Sequence, residues 1–230
     1  MKQSRKSNFL LITIAANLSA SLMMAFVLGP ATIAGGEAEV RMHYIHDNKV
    51  FVQIGWASWI LASLSLVLFF QIMYEVISAS KTMLLLALLI SVIGAASDTI
   101  SDMISLGMMP FLAEEFLSAT DTLRKTVLLH QFHTFDRLSV FLTGGLGNTC
   151  YGISGILLTY VFFRNRIFTP FIRFFSLPLW TFTFFMSYGS FNMNQETLPY
   201  AVGITMFLFI VWVVLIYFEL RKSESQESSL

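Results

Sequence analysis

Long apolar runs alternate with short polar breaks along the whole chain, and this alternation predicts its architecture. The first run extends from Phe9 to Gly29 and stops at Pro30 and Gly35-Gly36. Lys2, Arg5 and Lys6 before it give the layout of a secretory signal peptide, with Ala34 as the cleavage point. The run outlasts the roughly 7–15 apolar residues of a signal-peptide core, so it reads as a membrane span. Later runs predict further spans at about 51–73, 83–105, 138–163, 174–190 and 200–218. Residues 37–50 read as a polar loop carrying His43 and His46, and Trp56 and Trp59 beyond it as interface anchors. Pro178 is expected in the first turn of the fifth span, where its missing N–H costs little. Residues 223–230 read as a disordered tail.

The third run departs from the pattern. From Met83 to Ser97 it is free of charge, yet too short for the roughly 20 residues a span needs. The helix must therefore continue through Asp98 and Asp102. At 1.5 Å per residue Asp98 lies about 22 Å into a core about 30 Å thick, and the i, i+4 spacing stacks both carboxylates on one face. The mostly apolar stretch from Ser105 to Leu117 reads as a short interfacial or re-entrant piece. Thr120-Asp121-Thr122 is a helix N-cap cluster, opening an amphipathic helix that feeds into the fourth span. On that helix His130, His133 and Arg137 share a face.

Composition agrees with the pattern. The 230 residues are 56% hydrophobic and only 12% charged, with a mean hydropathy of +0.71, whereas soluble domains carry about 25% charged residues. Basic and acidic side chains balance at 14 each, which argues against nucleic acid as a partner. A single cysteine, Cys150, excludes an intrachain disulfide and any Cys-x-x-Cys site, and reads as a buried structural thiol. Six spans put both ends of the chain on one side. That side holds Lys2, Arg5, Lys6, Lys81, Arg164, Arg166, Arg173, Arg221 and Lys222, a larger set than Arg41, Lys49, Arg124, Lys125 and Arg137 opposite. The expected fold is thus an all-α membrane protein of the cell membrane. It is a single domain, 1–222, forming a bundle of six transmembrane helices with both termini cytoplasmic.

Ionisable groups inside such a bundle point to its chemistry, since a charge in the bilayer persists where it is paired or used. Four histidines in two His-x-x-His pairs, His43 with His46 and His130 with His133, plus Asp98 and Asp102, form an inventory able to hold a divalent metal ion. Haem with one axial histidine from each pair ranks behind it. A structural alternative has Asp98 or Asp102 paired with Arg137, tying the third span to the fourth. Another makes the two aspartates a proton- or cation-binding pair in a small transporter. The 23 Phe and 12 Met belong mainly to lipid-facing and packing surfaces, with some available to line a pocket entered sideways by a lipid, quinone or pigment. The leading expectation is an outward-facing polar pocket that binds a small or lipid-like ligand, and in one version converts it. Its core is Asp98, Asp102, His130 and His133, with His43 and His46 as extra ligands from the loop above and Arg137 neutralising one carboxylate or holding an anionic group. A non-catalytic subunit or assembly factor of a membrane complex is the remaining class. No phosphate loop or Gly-x-Ser-x-Gly elbow is present.

Overall fold

The computed structural model describes residues 6–32, 36–192 and 198–227, all helix and turn with no strand among them. Lys2, Arg5, Ala34 and Gly35 lie outside the described residues. Among those described, seven helices succeed one another: α1 Ser7–Ala31, α2 Ala38–Asp47, α3 Lys49–Val76, α4 Lys81–Ser118, α5 Thr122–Arg164, α6 Pro170–Phe191 and α7 Leu198–Glu227. Five of the six long helices are apolar and long enough to cross a membrane. α6 has 22 residues, but Pro, Ser, Thr and Tyr dilute its apolarity.

The long helices form a closed ring in chain order. α1 packs on α3, α3 on α4, α4 on α5, α5 on α6, α6 on α7, and α7 returns to α1. Short turns favour this arrangement, because they make consecutive helices antiparallel neighbours. Buried polar contacts fix the pairings. Thr13 Oγ1 donates to the Ser65 carbonyl at 3.1 Å, and Asn17 Nδ2 to Ser65 Oγ at 2.9 Å, joining α1 to α3. Ser97 and Ser101 of α4 donate to the Leu142 and Ser139 carbonyls of α5 at 2.7 and 2.9 Å.

Two apolar clusters bracket the ring. One, at the end carrying Ser7 and Glu224, centres on Phe69, Phe162 and Trp212. The other, at the opposite end, packs α2 and the projecting parts of α4 and α5 around Met42, Leu112 and Phe132 into a helical cap. Lys49 Nζ donates to Glu114 at 2.8 Å on the cap's surface and holds that carboxyl below its usual range. Arg124 pairs with Glu115. Asp121 caps α5 as expected, accepting from the Arg124 N–H at 3.0 Å.

Several boundaries differ from the sequence expectation. Residues 38–47 are helix α2 rather than loop, because Ala38, Arg41, Met42 and Ile45 share a face that the cap buries. The stretch after Ser105 does not re-enter. It continues α4 through a π-helical turn, Ile104–Met108, with Pro110 in the first turn of the α-helical part that follows. α6 begins at Pro170, so Pro178 lies inside the helix. Residues 223–227, expected to be disordered, extend α7. There Glu224 accepts from the Ser7 N–H at 3.1 Å and from Ser7 Oγ at 2.7 Å, which gives the segment a folded partner.

Candidate functional site

Between the two clusters lies a cavity of about 610 Å³, lined by all seven helices. Its walls are mostly apolar and aromatic, with Trp56, Trp59, Trp180 and Phe209 among them. Trp56 and Trp59, which the sequence suggested as interface anchors, are half-buried and line this cavity.

Asp98 supplies the polar centre. It is 4% exposed and lines the cavity, while Asp102, one turn along α4, is 0% exposed. The helix is continuous past both, as its expected length required, and both carboxyls are buried inside the bundle. Ser63 Oγ of α3 donates to Asp98 Oδ2 at 3.0 Å. Across the interface, a Cβ on Gly147 of α5 would come within 2.2 Å of Asp98 Oδ1, so only glycine lets the carboxyl lie there. The Thr143 and Tyr151 hydroxyls also face this carboxyl, although Oδ1 and Tyr151 Oη close no ordinary hydrogen bond. Both oxygens of Asp102 are buried without a partner.

Unpartnered buried polar atoms concentrate here. Asp98 Oδ1, Ser139 Oγ, Tyr151 Oη, Trp180 Nε1 and Thr205 Oγ1 all belong to residues that line the cavity. Protein interiors leave few such groups unsatisfied, so their clustering around one space is informative. π-helical turns add to the pattern. Met24–Leu28, Ile104–Met108 and Phe141–Gly147 each contribute lining residues, and such turns recur at functional sites.

At the cap end, Arg41 and Asp136 form a buried two-pronged ion pair. Arg41 Nη1 donates to Asp136 Oδ2 at 3.0 Å and Nη2 to Oδ1 at 2.5 Å. Arg41 Nε reaches the Ala31 carbonyl at 3.3 Å, and the guanidinium stands 5.1 Å from the centre of the Phe132 ring. Four contacts thus fix one side chain to α1, α5 and the cap. Sequence reading counted Arg41 as a loop charge. The signal was present in its position on the Ala38, Met42, Ile45 face, but its partner is 95 residues away.

The other expected site residues lie elsewhere. His43 and His46 on α2, and His130, His133 and Arg137 on α5, are exposed on the cap side. His46 Nδ1 is 3.1 Å from Asp47, its chain neighbour. Among the described residues no ion pair joins Arg137 to Asp98 or Asp102, and no group of three or more His, Cys, Asp or Glu is placed to hold a metal ion. The expected metal centre is therefore not supported. The imidazoles sit on outward helix faces, whereas the aspartates face the bundle interior. Cys150 is buried, as expected. The chain has no match among family models, curated proteins or solved structures, so the site is argued from its own geometry.

Proposed function

We propose that this multi-pass membrane protein binds a small, lipid-like ligand in this cavity, with its polar part at Asp98. The observation carrying this reading is the cluster of unpartnered polar atoms around one largely apolar space of about 610 Å³. That volume is in the range of pockets that enclose a drug-sized ligand, roughly 300–1,000 Å³. A hydrocarbon body would fill the aromatic walls while its polar end meets Asp98, Tyr151 and Thr205.

The accompanying topology is a single domain over 1–222 with six crossings in the cell membrane, α6 included, and both termini cytoplasmic. The ring order and the excess of Lys and Arg on the terminal side support it. Reporter fusions at both ends should give cytoplasmic signals, and a split result would defeat the six-crossing reading.

A brominated decyl alcohol tests the binding. In nanodiscs it should quench tryptophan emission saturably, since three tryptophans line the cavity. Thr183→Trp, which places a large ring in the cavity wall, should abolish the saturable part. Purely linear quenching in the parent protein would count against the cavity as a binding site.

Asp102 supports a second reading, a proton- or cation-coupled transporter. Its buried, unpartnered carboxyl one turn from Asp98 gives two groups able to pass a proton along one helix face. Gradient-driven uptake by vesicles that is lost on replacing both aspartates with asparagine would favour it; unchanged uptake would remove it.

A further inference from the structure

We propose that the cavity selects a hydrophobic amine or quaternary ammonium, admitted from the bilayer between α1 and α7. This rests on the ligand-binding reading above and specifies the ligand's head.

The charge balance of the lining leads to it. Among the described lining residues the ionisable groups of opposite sign are Arg41 against Asp98 and Asp136. Arg41 is already committed, with both terminal nitrogens on Asp136 and its Nε on a backbone carbonyl. Among the described residues Asp98 has no cation beside it; the Ser63 hydroxyl donates to Oδ2, and the buried Oδ1 faces the Thr143 and Tyr151 hydroxyls without closing an ordinary hydrogen bond. Asp102 stands one turn behind, adding a second acidic group and no base. An anionic head would meet two carboxyls with no available counter-charge. A cationic head would supply what Asp98 lacks, and Trp56, Trp59 and Trp180 in the wall are the side chains best suited to an ammonium group. The apolar remainder of the wall calls for a hydrocarbon body.

The entrance follows from which lining residues also face outward. Leu18 of α1 is 48% exposed and Phe207 of α7 is 66% exposed, yet both border the cavity. Gly203, also a lining residue, has nothing within 4 Å of where a Cβ would be. The cavity therefore reaches the lipid-facing side between these two helices.

The test compares three probes with one chain and different heads, decyltrimethylammonium, decanol and decanoate, bound to the full chain in nanodiscs. Tryptophan emission is the readout, with empty nanodiscs as the partition control. Decyltrimethylammonium should bind at least about tenfold more tightly than decanoate, and Asp98→Asn should remove that preference while decanol binding changes less than about threefold. Gly203→Phe, placed at the entrance and away from Asp98, should slow association without altering the order of affinities. Equal saturable binding of all three probes would overturn the cationic preference and leave the lipid-like reading standing. No saturable binding of any probe would defeat both. A cation preference that persists in Asp98→Asn would show that another group sets it and overturn this assignment.

Discussion

Arg41→Ala is expected to destabilise the protein by about 3–5 kcal/mol, because it leaves Asp136 buried without its counter-ion. For a chain of this size that corresponds to a fall in melting temperature of roughly 10 °C in detergent. The loss exceeds that of an exposed surface pair such as Lys49 with Glu114, where water screens the two charges. The double replacement Arg41→Met with Asp136→Leu separates pairing from packing. It removes both charges, fills a similar volume, and should recover most of the stability. A single Arg41→Ala change costing under about 1 kcal/mol would show that the fork does not hold the cap.

Gly155→Ala should be the most damaging one-methyl change in the bundle. A Cβ there would lie 2.1 Å from two ring atoms of Trp180, whose side chain is buried and fixed against Phe209 and Trp212. Overpacking of that kind costs about 1–3 kcal/mol, and the tilt forced on Trp180 should shift its emission. Gly107→Ala is the matched control, with nothing within 4 Å of the new Cβ. Helix propensity alone predicts a gain of up to about 1 kcal/mol there. Thermal unfolding of the two variants side by side decides the matter, and equal melting temperatures would refute the close approach of α5 and α6.

The positions of the long helices were legible because a bilayer imposes a length and a polarity on each one. That the third long helix runs on through Asp98 and Asp102 was legible for the same reason, since the charge-free run before them is too short to cross alone; their burial comes from packing against α3 and α5. Grouping the histidines with them was not justified by spacing. His130 and His133 share a face of α5, but which way that face turns depends on the packing of α4 and α2 against it. Phe132 and Asp136 took the inward positions. The Arg41–Asp136 pair was hidden in a stretch whose charge suggested a loop. Its apolar i, i+4, i+7 spacing was the available clue. Residues 223–227 escaped because composition measures how polar a segment is, and says nothing of a partner waiting at Ser7.

The 43 residues from Thr122 to Arg164 run as one continuous helix, exposed at the cap and passing the cavity wall before it ends. At 1.5 Å per residue, His133 and Tyr151 are about 27 Å apart on it. Its stiffness is interrupted by the wide turn of Phe141–Gly147, at the level of the aspartate. If the two arms turn together about that point, a spin label at the exposed His133 is expected to respond when side chains rearrange around Tyr151, and so to report on an interior that aqueous probes never touch.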